Sequence, residues 1–398
     1  MSTGPLCAEL ERVLPERPFQ VDFWDGTSLP ATNGAGGPTF YLKGPTAAGH
    51  VLRAPGQLGL GRAYVSGQLE VDDMDAALQV IDAWTPPPVE RGARLRLVRA
   101  AVKANGLRLP PRRPDAELIL SGRRHSRERD ARAVRHHYDV GNEFFALFLD
   151  DSMTYSCAFF SRVAATLEEA QRAKLDLVCT KLGLKEGETV LDVGCGWGSF
   201  AEYAAEHYGV RVVGITLSKP QAEYARRRLG DKADIRVMDY RDVAREFPGH
   251  FDAIASIGMV EHVGESRIDE YTRTLAGALK PGGRLLNHGI ARLRLGDPDA
   301  GPFSERYVFP DGAPLHLSRI QLAVERAGFV TDHVEGFAAD YAETLRHWLE
   351  RLEARLEEAV RLAGPERVRV WRLYLRAARR GFENGFTSVY QVRARRPA

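Results

Sequence analysis

Between residues 186 and 290, short apolar runs alternate with stretches whose apolar residues follow helical spacing. Almost continuously apolar runs are typical of parallel strands that are covered by helices on both faces of a sheet. The pattern therefore predicts an α/β fold. The predicted strands are 188–194, 210–218, 233–240, 251–258 and 283–290, and the predicted helices include 199–208, 219–229 and 266–279.

Beyond residue 290, the pattern adds a helix at 316–327, a strand at 329–336 and a last strand at 387–393. Two more helices are predicted between these strands, because apolar side chains recur there at helical spacing. Gly364-Pro365 separates the two helices. The apolar positions are Tyr341, Leu345, Trp348, Leu349, Leu352, Leu356 and Val360 in the first helix, and Val370, Leu373 and Tyr374 in the second.

The first 85 residues are rich in Gly, Pro and Thr. We interpret them as a small α+β domain with turns at Asp25-Gly26 and Gly36-Gly37. A run of three prolines at 86–88 closes this region, so we place the domain at residues 1–90. Its short apolar runs are 19–23, 40–42 and 61–65.

Residues 91–135 carry 14 Arg or Lys against four acids, although the net charge of the whole chain is only +2. We predict a basic linker here, interrupted by prolines at 110, 111 and 114. It is either a solvated, partly disordered segment or a patch for anionic lipid head groups, at about 1 kcal/mol per basic residue. Nucleic acid fits less well, because aromatic residues are not interleaved with the basic ones. A helix over 91–103 would place Leu95, Val98 and Val102 on one side.

Composition bounds the remaining possibilities. The chain has 398 residues, of which 44% are hydrophobic and 27% charged, as expected for a folded chain of two or three domains. Its four cysteines show no CxxC spacing, which argues against a disulfide framework and against a zinc site. Neither a signal peptide nor an apolar run of roughly 18 residues is present. We therefore expect a cytoplasmic protein that is at most peripheral to the membrane and binds no metal.

A glycine-rich turn follows the first predicted strand of the sheet, in the segment LDVGCGWG. Gly194, Gly196 and Gly198 form a GxGxG pattern, which lets the backbone approach a ligand and directs helix N-terminal amides towards it. A dinucleotide site more often shows GxGxxG, with an acid about 20 residues further on. The second strand instead ends in Gly-Ile-Thr at 214–216.

The surroundings of the turn favour S-adenosylmethionine (SAM) as its ligand. Asp192 precedes the turn, five β/α units follow in order, and the segment Lys280–Gly283 forms a turn into the fifth strand. A turn without a ligand is the alternative. We weigh against it because Trp197 in the turn has no evident packing role in the sequence.

Two polar residues follow adjacent strands of the predicted sheet. Glu261 comes after the fourth strand and His288 lies at the end of the fifth. Each alone is more often structural, but ligands of open parallel sheets bind beyond the carboxyl ends of the strands. We therefore expect the two side chains to converge. Upstream, residues 136–160 are dense in aromatic rings, and Tyr155 is a candidate contact for a sulfonium group.

These segments resemble a known family. HYDVGNEFFALFLDDSMTYSCAFF, LDVGCGWGSFAEYAA, GITLSKPQAEYA, MVEHVG and YVFPDG closely resemble cyclopropane-fatty-acid synthases and mycolic-acid methyltransferases. The resemblance runs from about residue 130 to the end. It implies a Rossmann-like class I SAM-dependent methyltransferase sheet with a helical insertion at 136–398. Residues 1–90 resemble, more weakly, the lipid- or dimerisation-type N-terminal domain of longer bacterial members, which implies a homodimer.

The resemblance also implies site residues, each at a position that matches the family. SAM would be held by Tyr155, Ser156, Asp192, Gly194, Gly196, Gly198, Thr216, Leu217, Ser218, Gln221, Tyr240 and Arg241. A bicarbonate ion would be held by Cys157, Glu261, His288, Ile290 and Tyr341.

The implied reaction is methylation of the cis double bond of a phospholipid acyl chain at the inner face of the membrane. Bicarbonate would take a proton from the resulting cation, and an apolar tunnel lined by helices at 338–384 would keep water out. The product is either a cyclopropane or a methylene-branched chain, and a methylene product would need a separate reductase. Asn287 and the ending FENGFTSVYQV depart from the usual cyclopropane synthases. A small-molecule N-methyltransferase and a non-catalytic lipid-binding protein are the other hypotheses.

Overall fold

The computed structural model describes residues 2–32, 34, 37–106, 111–138, 140–161, 166–294 and 301–398. Gly36 of the predicted turn and Pro110 of the predicted linker lie outside these ranges. The chain forms two compact units. The first comprises Met1–Leu118, Gly301–Tyr307 and Gly364–Ala377, and the second comprises Ile119–Ala300, Val308–Ala363 and Ala378–Ala398.

The first unit combines helices with a four-stranded sheet in the order β2-β1-β3-β4. The β1 and β3 strands are parallel and the other pairs antiparallel. The predicted turn at Asp25-Gly26 joins β1 to β2, and Gly26 has a φ of +86°. The elements are α1 (Gly4–Val13), β1 (Gln20–Asp22), β2 (Ser28–Leu29), β3 (Thr39–Leu42), α2 (Pro45–Arg53), α3 (Gln57–Val65), β4 (Leu69–Val71), α4 (Met74–Ala83) and α5 (Arg91–Asn105).

A buried ion pair joins distant parts of the first unit. Arg62 on α3 donates two hydrogen bonds of 2.7 Å to the carboxylate of Glu117, whose side chain is fully buried. The Tyr307 hydroxyl donates to the same carboxylate at 3.2 Å. The three groups therefore pair with one another, as buried polar groups must.

Two helices occupy the segment predicted to be a basic linker. The α5 helix packs its alanines and Leu97 against the core of the first unit. The α6 helix (Arg127–Tyr138) belongs to the second unit and begins close to the end of the proline-interrupted stretch. Most of the described part of this basic segment is thus ordered helix.

The second unit is built around an eight-stranded sheet. The main path has the order β11-β12-β9-β8-β5-β6-β7, and β10 pairs with β9. From α7 onwards the elements of the chain are α7 (Asn142–Ala146), α8 (Leu167–Leu182), β5 (Thr189–Val193), α9 (Ser199–Tyr208), β6 (Arg211–Thr216), α10 (Lys219–Leu229), β7 (Ala233–Val237), α11 (Val243–Glu246), β8 (Phe251–Ile257), α12 (Val260–Val263), α13 (Ile268–Ala278), β9 (Leu279–Arg292), α14 (Gly301–Tyr307, in the first unit), β10 (Leu315–His316), α15 (Leu317–Arg326), β11 (Val330–Gly336), α16 (Ala338–Ala354), α17 (Leu356–Glu383, of which Gly364–Ala377 belongs to the first unit) and β12 (Thr387–Arg395).

The predicted strands and helices of this sheet are confirmed, and their ends shift by at most four residues. Six strands, β5 to β10, pair in parallel, whereas β12 runs antiparallel to both of its neighbours. The Lys280–Gly283 segment is part of β9, where it forms an irregularity in the pairing with β8 instead of a separate turn. The helical insertion is also confirmed. Gly364 breaks α17 with a φ of +76°.

Helices cover both faces of the sheet, which explains the continuous apolar strands. On β5, Leu191 and Val193 face the core beneath α13 and α15, whereas Val190 faces the core beneath α8, α9 and α10. All five residues of β5 are consequently buried. Within the described residues, no helix is long and apolar enough to cross a membrane.

Candidate active site

The glycine-rich turn leaves the carboxyl end of β5 and leads into α9. Gly194 and Gly196 have φ angles of +78° and +53°, a region that favours glycine. The amides of Gly194 and Cys195 both donate to the carbonyl oxygen of Ile215 at 2.9 Å. A Cβ atom on Gly214 would lie 3.1 Å from the Cys195 sulfur, so the turn rests directly on β6.

Gly198 has a different role from the other two glycines of the motif. It precedes α9 with a φ of +88°, and a Cβ atom there would lie 2.6 Å from Leu229 Cδ1 and 3.2 Å from Ala225 Cβ. Gly198 therefore permits close packing of α9 against α10. It does not line the cavity beyond the carboxyl ends of the parallel strands.

A cavity of about 700 Å³, including its open mouth, lies beyond the carboxyl ends of the parallel strands. This is where ligands of open α/β sheets bind. Seven of the predicted SAM-binding residues line it, namely Gly194, Gly196, Thr216, Leu217, Gln221, Tyr240 and Arg241. The sequence did not single out other lining residues, which are Asp130, Val134, Tyr138, Val193, Ile215, Met238, Gly258, Met259 and His262.

Two predicted SAM-binding residues lie beside the cavity instead of lining it. The Ser218 hydroxyl accepts a hydrogen bond from the Gln221 amide and caps α10. Asp192 is 2% exposed, and its Oδ2 atom has no hydrogen-bond partner among the described residues. Burial raises the pKa of Asp192 to about 7, and the charge of Lys174 acts in the opposite direction.

Trp197 is buried in the structure, contrary to the sequence-based expectation that it has no packing role. Its ring is 2% exposed and packs against Phe145 and Tyr138, with ring centroids 4.9 and 5.7 Å away. Its Nε1 atom donates to Asn142 Oδ1 at 2.8 Å. The tryptophan thus has a clear packing role, which its position in a glycine-rich turn concealed because its partners are distant in the sequence.

Tyr155 belongs to an aromatic cluster around the segment 154–161. Its ring stacks on Trp348 of α16 at a centroid distance of 5.1 Å and lies 5.3 Å from Phe145. Aromatic faces attract a sulfonium cation by about 0.5 to 2 kcal/mol. Tyr155 is not among the residues that line the cavity, but the cluster to which it belongs includes Tyr138, which does.

Glu261 lies in α12, the short helix that follows β8. Its Oε1 atom accepts a hydrogen bond of 2.6 Å from the backbone amide of Ile290. Its Oε2 atom is buried and has no partner among the described residues. Burial raises the pKa of Glu261 to about 7, and the Ile290 amide opposes the shift. The amide of Ile290, a predicted bicarbonate contact, is thus already used by Glu261.

Two side chains linked by hydrogen bonds orient His288, which lies on β9. Gln391, its partner in register on β12, places its amide nitrogen 3.1 Å from His288 Nδ1. Lys181 donates to Gln391 Oε1 at 2.6 Å, which orients the amide so that it donates to Nδ1. The His288 proton therefore resides on Nε2, which is buried and has no partner among the described residues. Burial lowers the pKa of His288 to about 3, so the ring is neutral.

Phe337, the residue before α16, brings three predicted site residues together. Its carbonyl oxygen accepts the Tyr341 amide at 3.0 Å and lies 3.8 Å from the Cys157 sulfur. Its ring lies parallel to His288 at 6.3 Å. Burial raises the pKa of the Cys157 thiol well above its ordinary value, so Cys157 is a thiol and not a thiolate nucleophile.

Two residues of α8 that the sequence pattern did not single out hold the segment carrying Tyr155 and Cys157. Gln171 donates to the carbonyl oxygens of Thr154 and Ser156, at 3.3 and 2.9 Å. Lys174 donates to the hydroxyl of Ser156 at 2.9 Å. A signal was present, because these two polar residues occupy the buried stripe of an amphipathic helix.

Lys174 is the most unusual of these groups, since its side chain is fully buried. Burial lowers its pKa to about 8, against the fields of Asp150 and Asp192. A buried ammonium group is stable only when anions and hydrogen-bond acceptors surround it. Lys174 therefore acts on Asp192 through its charge and on the segment that carries Cys157 through its hydrogen bond to Ser156.

The strand order, the glycine turn and the cavity together define a SAM-dependent methyltransferase. Comparison with known proteins identifies the particular group. The family described as "Mycolic acid cyclopropane synthetase" matches residues 125–392, and the chain belongs to this family. It is an enzyme of the cyclopropane synthase type.

Some similar proteins match almost the whole of this chain, and others match about two thirds of it. A "Probable fatty acid methyltransferase" of Pseudomonas putida is 38% identical over 394 residues, covering 96% of this chain and 92% of its own. The "Cyclopropane-fatty-acyl-phospholipid synthase" of Escherichia coli strain K12 is 35% identical over 366 residues, covering 91% and 89%. The structure of the mycolic acid cyclopropane synthase CmaA1 with SAH and CTAB has a TM-score of 0.62 and 33% identity, covering 67% of this chain and 98% of its own.

Proposed function

We propose that the chain transfers a methyl group from SAM to the cis double bond of an unsaturated acyl chain of a phospholipid, giving a cyclopropane fatty acid. One observation carries the proposal: Glu261 Oε2 and His288 Nε2 are both buried without a partner among the described residues. Such atoms cost free energy unless a ligand pairs with them. Met259 and His262, which lie within two residues of Glu261 in the sequence, line the cavity.

The cavity and its surroundings suit SAM on two counts. Gly194 and Gly196 offer a cradle without side chains, and a Cβ atom on Gly196 would meet nothing closer than 4.0 Å. Asp192 offers a buried carboxylate oxygen for the positively charged ligand. When bound, SAM supplies an electrophilic methyl group. The residues that would hold it are Asp192 and the seven predicted residues that line the cavity.

We propose further that Glu261 and His288 hold a bicarbonate ion, which supplies a proton acceptor when bound. Neutral His288 would donate from Nε2 to an anionic oxygen, and Glu261 Oε2 would accept from the hydroxyl of the ion. The chain's own contribution is to fix these two partners, through the Ile290 amide for Glu261 and through Gln391 for His288.

The remaining residues would protect a positive charge on the acyl chain. The double bond is the nucleophile, and a proton must leave the resulting cation before the ring closes. Tyr341 and Phe382 pack with ring centroids 4.6 Å apart, and their faces would stabilise the cation. Tyr341, Leu345 and Trp348 on α16 are all buried, which supports exclusion of water.

The test is a product analysis. The protein is incubated with SAM, bicarbonate and vesicles of oleoyl phospholipid, and the fatty acids are analysed by mass spectrometry and proton NMR. A gain of one CH₂ with cyclopropane protons is the expected result. If SAM is consumed by amines while the acyl chains stay unchanged, the chain is a small-molecule N-methyltransferase and the proposal fails.

Asn287 supports a second candidate product, the methylene-branched chain. Its side chain is 3% exposed, and its Oδ1 atom has no partner among the described residues. A Cβ atom on Gly289 would lie 3.5 Å from Asn287 Nδ2 and 3.6 Å from Glu261 Oε2, so amide and carboxylate approach the same region. Exomethylene protons in the NMR spectrum would identify this product.

A further inference from the structure

The α5 helix carries three large aliphatic side chains on its outer side. Leu95, Val98 and Val102 are 51%, 45% and 47% exposed. Their spacing of three and four residues places them in one stripe of about 10 Å along the helix. Single exposed aliphatic residues are common on protein surfaces, but a continuous exposed stripe marks an interaction site.

The opposite side of α5 is already used by the fold. Ala93 and Ala104 are buried, and Leu97, Ala100 and Ala101 pack against the core of the first unit together with α1. The helix is therefore anchored through small residues. Its aliphatic stripe lies outside this core and stays exposed after folding. We therefore look for a binding partner that covers it.

Positive charges flank this stripe. Arg91, Arg94, Arg99 and Lys103 are all exposed, and α5 itself contains no acidic residue. In the part of the chain that the structure describes, none of these four forms an ion pair with an acid, whereas Arg96 pairs with Glu9 at 3.4 Å. The four cations are thus available to a partner.

We propose that this docking face, formed by the stripe and its four flanking cations, binds the surface of an anionic phospholipid bilayer. The aliphatic side chains would enter the boundary between head groups and acyl chains, while the long basic side chains reach the phosphates. Charge complementarity selects this occupant, since a second copy of the same face would bring like charges together. The proposal rests on the function proposed above, because phospholipid acyl chains lie in bilayers.

Two variants of the full chain test the two components of the docking face. The first is Leu95→Ser with Val98→Ser and Val102→Ser, and the second is Arg94→Gln with Arg99→Gln and Lys103→Gln. All six side chains are exposed, so both variants are expected to fold. Binding is measured by co-sedimentation with vesicles of phosphatidylcholine containing about 30% phosphatidylglycerol. Each variant is expected to bind at least about tenfold more weakly than the native chain.

Matched controls carry equivalent changes elsewhere. Leu60→Ser with Ile81→Ser and Leu322→Ser removes three aliphatic side chains that are 46%, 65% and 42% exposed. Arg245→Gln with Arg326→Gln and Arg361→Gln removes three exposed charges. Both controls are expected to bind the vesicles as the native chain does. Native-like binding by the docking-face variants would overturn the proposal.

Further readouts separate this proposal from the proposed function and from other partners. Detergent-dispersed oleoyl phospholipid is expected to be methylated equally by native chain and variants. Vesicle binding without any methylation would refute the function and leave the docking face standing. Two other outcomes would overturn the membrane assignment. In the first, the native chain and the serine variant bind DNA duplexes as strongly as the native chain binds vesicles. In the second, the native chain forms a dimer and does not bind vesicles, and the serine variant is a monomer.

Discussion

At the residue scale, burial sets the protonation states on which the site depends. Glu261 and His288 are both removed from water, but the consequences for their charges differ. The pKa of Glu261 is raised to about 7, so this carboxyl group titrates near neutrality, whereas the pKa of His288 is lowered to about 3. The pH dependence of turnover should therefore report Glu261 alone of this pair.

We predict that turnover rises with pH through about 7. The proposed role of Glu261 needs its ionised form, which is lost as the pH falls below its pKa. Glu261→Gln should keep SAM binding and lose most turnover. With SAM saturating at each pH, so that Asp192 with its pKa of about 7 does not limit the rate through SAM binding, the variant should also lose this acidic limb of kcat at the same bicarbonate concentration. Glu265→Gln, at a side chain that is 70% exposed, is the matched control. Full turnover in Glu261→Gln would remove this residue from the mechanism.

A second prediction concerns Gln391, which determines the tautomer of His288. Gln391→Leu removes the donor to Nδ1, and Gln391→Glu replaces it with an acceptor that favours a proton on Nδ1. Both variants should lower kcat roughly ten- to a hundredfold and leave SAM affinity unchanged, because general acid–base contributions are of this order or larger. Native kcat in Gln391→Glu would contradict the proposed tautomer.

At the element scale, the glycine turn lines the cavity with Gly194 and Gly196 and has a packing role at Gly198. Gly198→Ala should destabilise the protein by about 1–3 kcal/mol, because it adds a clash with Leu229 to an unfavourable φ. Gly187→Ala is the matched control, since Gly187 has a φ of +82° but no neighbour within 4 Å of a Cβ atom. Thermal unfolding of both variants separates the cost of a positive φ, which both variants share, from the cost of the clash, which arises only in Gly198→Ala. Equal losses would show that α9 and α10 adjust to the added methyl group.

The α8 helix acts on the site through its buried polar residues. Lys174→Met removes a buried charge and keeps the volume, so we expect an unchanged or higher Tm. Turnover should nevertheless fall, because the segment carrying Tyr155 and Cys157 loses its hydrogen bond from Lys174. The pKa of Asp192 should also rise, which shifts the loss of SAM binding to higher pH. Lys185→Met, at an exposed lysine, should change neither property. A lower Tm with native turnover would make Lys174 purely structural.

Local patterns were sufficient to predict most elements of the second unit. The strands read as continuous apolar runs because both faces of the sheet are covered, and the glycines mark the turn that approaches the ligand. Contacts between distant segments could not be predicted. Gln391 and Lys181 orient His288 across two elements, and Trp197 finds Phe145 in the folded chain.

At the scale of the whole molecule, the two units are not consecutive in sequence. Residues 301–307 and 364–377 lie within the methyltransferase segment of the chain, yet they belong to the first unit. A sequence pattern assigns domains by contiguous stretches. The pattern therefore assigns these residues to the methyltransferase domain. Their assignment to the first unit becomes evident only from the contacts of their side chains.

Three side chains show how strongly these segments depend on residues 1–118. Phe303 packs so closely on α3 that a Cβ atom on Gly61 would lie 2.4 Å from its ring. Tyr307 donates to the buried carboxylate of Glu117. Arg369 donates to Glu70 at 2.8 Å and lies over the Tyr64 ring at 4.2 Å. All of these partners would be absent from a chain that begins at residue 119.

We therefore predict that residues 119–398 alone are unstable. CmaA1 is a shorter protein, since the match covers 98% of CmaA1 but only 67% of this chain. Exposing the two large aromatic residues costs about 3–6 kcal/mol, at roughly 1.5–3 kcal/mol each, which is a large part of a typical stability of 5–15 kcal/mol. Size-exclusion chromatography and thermal unfolding should show aggregation or a much lower Tm. Phe303→Ser with Tyr307→Ser should reduce the aggregation of the truncated chain but destabilise the full chain. A truncated chain that is monomeric with native SAM affinity would mean that these segments fold without residues 1–118.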